Sequence, residues 1–210
     1  AAFMPGTGAT VTGIYTGATF SSMAYDDATL FFPQGSTIVR LDPLTGATNH
    51  VGGVTNIATD VTAVTRNAST TYAAYATSFG FVSPYTYGAF TGDGFSNLFT
   101  TDNIFDASVA SGGVTYVVAS PGGAGSVILR ADNGATTQVA NVGGYSGGIA
   151  ADPFGGVYYA YQAPDFVSGQ ILYYSHDQLA TGGLTLADAV VVNNVKASSL
   201  CLGADGFLYA

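Results

Sequence analysis

The chain repeats an alternating β pattern at a nearly constant spacing, and this periodicity restricts its possible folds more than any other feature. Five segments alternate apolar and polar residues, cross a turn and then enter an aromatic-rich strand. Equivalent points in these strands are separated by 40, 44, 42 and 50 residues, taken in turn from Phe32, Tyr72, Tyr116, Tyr158 and Leu208. A period of about 40 to 50 residues is typical of a repeated four-stranded sheet.

Each repeat also has a consistent internal order. A first strand of small residues is followed by a tight turn and by a second strand of β-branched and aromatic residues. Third strands are recognised at 37–42 (TIVRLD), 127–132 (VILRAD) and 170–177 (QILYYSHD). Gly46 and Gly134 mark the turns that lead from the strands at 37–42 and 127–132 into the fourth strands of their repeats. The sequence therefore predicts an all-β fold, a β-propeller of about five four-stranded blades.

The domain boundaries follow from the same repeat. Residues 1–19 form an N-terminal segment with a closing or donated strand at 10–17, and residues 20–210 form the propeller domain. Because the fifth unit stops after its second strand, three arrangements stay open: a closed ring with a three-stranded last blade, a part of a larger propeller, or a strand borrowed from a neighbour. In the last case the chain would self-associate through its N-terminal strand, since open sheet edges invite pairing. The predicted blades are 20–55, 56–103, 104–146, 147–197 and, in part, 198–210.

Three stretches carry a resemblance to known proteins: IAADPFGGVYYA (149–160), GADGFLYA (203–210) and TIVRLDPLTGAT (37–48). They resemble the blades of the NHL, YVTN and quinoprotein-like β-propellers, many of which are exported. The resemblance implies an architecture and leaves the ligand open. The second repeat departs from it, because the third and fourth strands are hard to place between Thr77 and Asp102.

Charge and composition exclude several function classes. Four basic residues against thirteen acidic ones give a net charge of −9, so nucleic acid would be repelled. No apolar run approaches the roughly 18 residues of a membrane-spanning helix. A single cysteine excludes an intrachain disulfide, and few lysines with an Ala-Ala start are typical of a processed prokaryotic export product. We expect a secreted or cell-surface protein.

Exposed aromatic residues are the candidate binding site. In a propeller, the connections between second and third strands and those between blades lie on one face. The sequence predicts aromatic residues in several of these connections: Phe79, Phe81, Tyr85, Tyr87 and Phe90 in one loop, Phe95 and Phe99 in the next, and Tyr145 and Phe166 in others. Such clusters recognise sugar rings, peptides or another subunit. The alternative interpretation is a small additional core under a long loop.

Metal-binding residues are few. Asp93 and Asp102 lie in predicted irregular backbone and are candidates for calcium, which prefers carboxylate and carbonyl oxygens. No complete calcium-loop motif accompanies them, and two histidines, His50 and His176, are too scattered for zinc. The recurrent aspartates of the first-to-second-strand turns, Asp152 and Asp205 among them, are interpreted as turn residues. No other cofactor is expected.

Two functions are consistent with these observations. The first is an exported, non-enzymatic β-propeller that acts in binding or structural assembly at the cell surface, with a carbohydrate or protein ligand. The second is a metal-dependent propeller enzyme of the lactonase or lyase type, in which a metal polarises a substrate oxygen. The second requires oxygen ligands to converge at the channel mouth, and the candidates at blade junctions are Asn56, Asp102 and Asn103.

Overall fold

The computed structural model consists almost entirely of antiparallel β-sheets. It describes residues 2–3, 10–11, 24–26, 29–34, 37–50, 60–67, 70–76, 84–91, 94–123, 125–132, 134–203 and 205–210. The alternation of apolar and polar residues and the Gly- and Asp-containing turns favour short antiparallel strands. Within the described part of the chain the strands form six sheets.

The N-terminal pair and the first two four-stranded sheets follow one another along the chain. The pair is β1 (Ala2–Phe3) with β2 (Thr10–Val11). The first sheet contains β3 (Ala24–Asp26), β4 (Thr29–Gln34), β5 (Thr37–Leu41) and β6 (Thr48–His50). The second sheet contains β7 (Asp60–Asn67), β8 (Thr70–Ala76), β9 (Pro84–Thr91) and β10 (Gly94–Asp102). In both sheets each strand pairs with the strand before it.

The third, fourth and fifth sheets continue this order. The third contains β11 (Ile104–Val109), β12 (Thr115–Ala119), β13 (Val127–Asp132) and β14 (Ala135–Asn141). The fourth begins with β15 (Tyr145–Ala151), β16 (Val157–Gln162) and β17 (Gly169–Tyr174). The next strand, β18 (Leu184–Thr185), pairs in parallel with β14 and so covers the edge of the third sheet. The fourth sheet is completed by β19 (Val190–Asn193), and the fifth is the pair β20 (Cys201–Leu202) and β21 (Leu208–Tyr209).

A short α-helix interrupts the fourth sheet, and the sequence analysis had not predicted it. Helix α1 (His176–Thr181) begins where the predicted third strand, 170–177, was expected to continue. The Ser175 side chain and the Gln178 side chain each accept a hydrogen bond from the other residue's backbone, and this capping box starts the helix. Among the described connections, three contain single-turn 3-10 segments: Ser111–Gly113, Pro121–Gly123 and Leu186–Asp188.

The first strands of successive sheets lie side by side. Strand β11 contacts both β7 and β15, and β15 contacts β20. Side chains of β11 also accept hydrogen bonds across this interface: Asp106 Oδ2 accepts from Ile149 N and Ser108 Oγ accepts from Ala151 N, each at 2.9 Å. Gly148 lies so close to Ser199 and Leu200 that an added Cβ would collide with their backbone. The prediction that small residues occupy the crowded first strands is therefore confirmed here.

The hydrophobic core lies between the sheets. The largest cluster fills the space between the third and fourth sheets and includes Tyr116, Ile128, Ile149, Tyr159 and Leu172. Smaller clusters lie between the second and third sheets and between the fourth and fifth. The third and fourth sheets are thus apolar on both sides, which explains why their second and third strands are nearly continuous runs of apolar residues.

The sequence Arg-x-Asp occurs at 40–42 and at 130–132, and its structural role differs between the two positions. Arg130 Nη2 and Asp132 Oδ2 form an ion pair at 3.1 Å on β13. Asp42 instead accepts from Leu44 N at 2.8 Å and from the Thr45 hydroxyl at 2.7 Å. The Arg40 guanidinium lies 5.6 Å from the centroid of the Phe31 ring. The same three-residue pattern thus forms an ion pair in one sheet and an Asx turn in the other.

The N-terminal segment differs in part from the prediction. Thr10 and Val11 were assigned to a strand that closes the ring or pairs with a neighbouring molecule, but they pair locally, with Phe3 and Ala2. That assignment is wrong for these two residues, because their partners belong to the same segment. Residues 12–20 lie outside the described residues, and a closing or donated strand in this segment stays a prediction.

We expect the stability of the fold to decrease steeply above pH 10. Burial raises the pKa of Tyr174 to about 12, and burial together with a hydrogen bond to Asp152 raises that of Tyr173 to about 12. A tyrosine whose pKa is higher in the folded state contributes stability that is complete below pH 10, its unfolded value, and is lost as the pH rises to about 12. Each pKa unit corresponds to about 1.4 kcal/mol. Urea midpoints measured from pH 9 to pH 12 test this, and Tyr174→Phe should make their decline shallower; an equally steep decline would contradict the assignment.

Candidate ligand-binding site

Two aromatic residues that the sequence analysis placed in separate connections meet in the structure. Tyr145 is the first residue of β15, and Phe166 lies in the connection between β16 and β17. Their rings stack with centroids 4.2 Å apart and an interplanar angle of 28°. Both remain accessible, Tyr145 at 47% and Phe166 at 54% of their surface. We call these two residues the aromatic pair.

The connection that carries Phe166 is held in one conformation by local hydrogen bonds. Asp165 Oδ1 accepts from Val167 N at 2.9 Å and from Ser168 N at 2.8 Å, and Asp165 Oδ2 accepts from the Ser168 hydroxyl at 2.5 Å. These bonds, first of all that from the Ser168 hydroxyl, lower the pKa of Asp165. Phe166 N also donates to Ala163 O at 3.0 Å. The phenylalanine is therefore presented by a rigid turn.

Phe166 has an unusual backbone conformation for its residue type. Its φ angle is +58°, in the left-handed region that residues other than glycine, asparagine and aspartate rarely adopt. Such a conformation costs free energy and is found preferentially at functional sites. The turn thus has a strained backbone at a residue whose large apolar ring is exposed to solvent.

Lys196 connects the aromatic pair to a neighbouring cavity. Its Nζ donates to Phe166 O at 2.6 Å, and its positive charge contributes to the lowered pKa of Asp165. The cavity has a volume of about 510 Å³, within the range of about 300–1,000 Å³ that is typical of small-molecule sites. Its lining comprises Tyr161, Ala163, Val167, Ser168, Gly169, Gln170, Asn194 and Lys196.

Two amide side chains face each other in this cavity. Gln170 Nε2 donates to Asn194 Oδ1 at 2.8 Å, although the two residues are 24 positions apart. This bond orients both amides and leaves Gln170 Oε1 as an acceptor and Asn194 Nδ2 as a donor. With Ser168 and Lys196, the cavity presents mainly polar groups beside an exposed aromatic surface.

Antiparallel topology explains why these residues lie at one end of the fourth sheet. The β14–β15, β16–β17 and β19–β20 connections all lie at the end where β15 and β17 begin, whereas the turn at 152–156 lies at the opposite end. Sequence analysis identified Tyr145 and Phe166 but missed Ser168, Gln170, Asn194 and Lys196. The one available signal for Lys196 was its rarity, because the chain contains only four basic residues.

The predicted aromatic loop of the second sheet is different in the structure. Tyr85, Tyr87 and Phe90 lie on β9, a regular strand, and Phe95 and Phe99 lie on β10. Their placement in loops is wrong, because 84–91 and 94–102 pair along their length as the third and fourth strands that were hard to recognise. Tyr87 is completely buried and stacks on Phe99 with centroids 5.2 Å apart, as the small-core alternative describes. Phe79 and Phe81 lie outside the described residues.

The candidate metal residues do not meet in the described part of the chain. Asp102 ends β10, and Asn103 follows it with a φ of +44°. Asp93 and Asn56 lie outside the described residues. Among the residues that are described, no group of three or more His, Cys, Asp or Glu side chains could hold a metal ion. Calcium binding stays a prediction.

Comparison with solved structures identifies the architecture. No family model and no curated protein matches this chain. The solved structures that match include a putative TolB from Agrobacterium tumefaciens, with a TM-score of 0.66, 15% identity and coverage of 87% of this chain and 65% of that one. The chain is a β-propeller. A chain of a nidogen/laminin complex also matches, with a TM-score of 0.63, 13% identity and coverage of 84% and 66%.

The β-propeller neighbours are longer than this chain. TolB from Acinetobacter baumannii matches with a TM-score of 0.59 and 15% identity over 79% of this chain but only 42% of its own. This chain thus spans about two fifths to two thirds of these three neighbours. At such low identities the likeness extends to the fold alone, and at that level the predicted β-propeller architecture is confirmed.

The described helices are short. None of them has the length and the apolar character that crossing a bilayer requires.

Proposed function

We propose that this β-propeller is an exported binding protein that catalyses no reaction and holds its ligand at the aromatic pair. The observation that carries the proposal is the stacking of Tyr145 on Phe166 at the surface, with about half of each residue accessible. Large aromatic rings dominate binding energies, and keeping two of them in solvent favours a recognition role.

The local structure supports this assignment to the aromatic pair. Phe166 extends from a turn that three hydrogen bonds to Asp165 stabilise, so binding would cost little ordering entropy. The adjacent cavity offers polar partners that orient a ligand. Nidogen, a structural neighbour, was crystallised in a complex with laminin, which makes a protein ligand a reasonable alternative to a carbohydrate.

Three further features belong to the same proposal. The acidic, lysine-poor composition supports a location outside the cell or at its surface. Calcium at Asp93 and Asp102 and self-association through the N-terminal strand would serve assembly at that location. Both rest on sequence, and neither is required for ligand binding at the aromatic pair.

Replacing Phe166 with asparagine should weaken ligand binding at least tenfold without unfolding the protein. Asparagine tolerates a positive φ, so the turn keeps its conformation while the ring is lost. Binding to immobilised glycan and peptide arrays measures the effect. The matched control is Phe154→Ser, which removes a ring that is 85% exposed in the turn at the opposite end of the sheet. Equal binding by Phe166→Asn and the unsubstituted protein, or binding to no probe, would contradict the proposal.

A further inference from the structure

We infer that the ligand of this surface is a neutral oligosaccharide, with one sugar ring against the aromatic pair and hydroxyls of the chain bound by Gln170 and Asn194. This inference rests on the proposed function and specifies its ligand. It depends on three features of the site. These are the turn that carries Phe166 beside the cavity, the hydrogen-bonded side chains of Gln170 and Asn194, which we call the amide pair, and the opposite charges of Lys196 and Asp165.

The aromatic pair adjoins the cavity. Phe166 precedes Val167 and Ser168, which line the cavity, and Lys196 both lines it and donates to Phe166 O. A ligand that covers the rings and enters the cavity must therefore be extended over more than one unit. Sugar chains fit such a surface because each ring has an apolar C–H face for stacking and hydroxyls at its edge.

The amide pair selects the type of polar group. Gln170 Oε1 can only accept a hydrogen bond and Asn194 Nδ2 can only donate one. A hydroxyl group does both, so a single hydroxyl or two adjacent ones can satisfy both amides. A carboxylate could use only the donor, and an ammonium group only the acceptor.

The charges around the cavity favour a ligand without net charge. Lys196 opposes a cationic ligand, while Asp165 beside it and the net charge of −9 oppose an anionic one. A peptide would also need apolar pockets for its side chains or a sheet edge for its backbone. The cavity lining consists mainly of hydroxyl, amide and ammonium groups instead.

Titration calorimetry with defined hexasaccharides tests the inference. The neutral probes are cellohexaose, xylohexaose, mannohexaose and N-acetylchitohexaose, and the acidic probe is hexagalacturonate. We expect at least one neutral probe to bind at least tenfold more tightly than hexagalacturonate. Gln170→Leu should weaken that binding roughly tenfold, the cost of about one hydrogen bond, and Phe166→Asn should weaken it at least as much.

The matched control for the amide is Gln138→Leu, an exposed glutamine on β14, which should leave affinity unchanged. Melting temperatures of Phe166→Asn and Gln138→Leu should agree with that of the unsubstituted protein, because both side chains are exposed. That of Gln170→Leu should fall slightly, because Gln170 is half-buried and its bond to Asn194 is lost. Tighter binding of hexagalacturonate, unchanged affinity of Gln170→Leu, or binding to none of the neutral probes would overturn the inference. If no neutral probe binds, but the protein binds a peptide array and Phe166→Asn weakens that binding, the oligosaccharide inference fails and the proposed function stands.

Discussion

Tyr87→Ala should lower the free energy of unfolding by about 3–5 kcal/mol, the range typical of removing a large aromatic side chain from a core. Tyr87 is completely buried and stacks on Phe99. It belongs to the cluster between the second and third sheets, where Ile104, Val117 and Leu129 surround it. Truncation would therefore leave a cavity between two blades. Equilibrium unfolding in urea measures the loss.

Tyr87→Phe is the matched control, because it keeps the ring and its stacking. We expect it to lose much less stability than the alanine variant. If Tyr87→Ala unfolded at the same urea concentration as the unsubstituted protein, the tyrosine would not be a core residue. Its earlier interpretation as part of an exposed platform would then regain support.

Asp152→Ala should destabilise the protein by about 3 kcal/mol, since it leaves buried hydrogen-bond donors without an acceptor. Only 7% of Asp152 is exposed. Its Oδ1 accepts from Phe154 N at 2.7 Å and from Gly156 N at 2.8 Å, and its Oδ2 accepts from the Tyr173 hydroxyl at 2.8 Å. The carboxylate thus joins the turn at 152–156 to strand β17. Urea unfolding near pH 7 measures the change.

The fifth sheet supplies a matched control for this prediction. Asp205 accepts from Phe207 N at 3.1 Å and from the Tyr209 hydroxyl at 2.6 Å, as Asp152 does in the fourth sheet, but it is exposed. Water can replace these bonds, so Asp205→Ala should destabilise the protein much less than Asp152→Ala. Equal losses for the two variants would show that burial does not decide the effect.

Much of the candidate site could not be predicted from the sequence. Tyr145 and Phe166 were recognised because aromatic residues in predicted connections are conspicuous. Their mutual stacking, 21 positions apart, depends on the positive φ of Phe166 and on the length of the turn. Gln170 and Asn194 carry no local signal at all, because an amide on a strand and an amide after a strand are common in any β-protein. Only the pairing of β17 with β19 brings them together.

In the second sheet, the sequence analysis predicted exposed loops where the structure has strands. A run of aromatic residues between Phe79 and Phe99 suggested exposed loops, yet β9 and β10 pair as ordinary strands. Aromatic residues are as favourable in strands as in recognition loops, so composition does not distinguish the two. The distinction depends on which side of the strand faces the neighbouring sheet.

The sequence by itself determined the number and order of the strands in most of this β-propeller. Alternation, turn residues and a period of about 40–50 residues act locally, and Gly46 and Gly134 do adopt the positive φ that their turns require. Tertiary structure alone decided which aromatic rings are buried and which polar groups share a cavity. Tyr87 and Phe166 have similar side chains, but one lies between two sheets and the other in a turn at the end of one. Burial depends on contacts with the neighbouring sheet. The residues that make these contacts are distant in sequence, so the local pattern of apolar and polar residues does not reveal them.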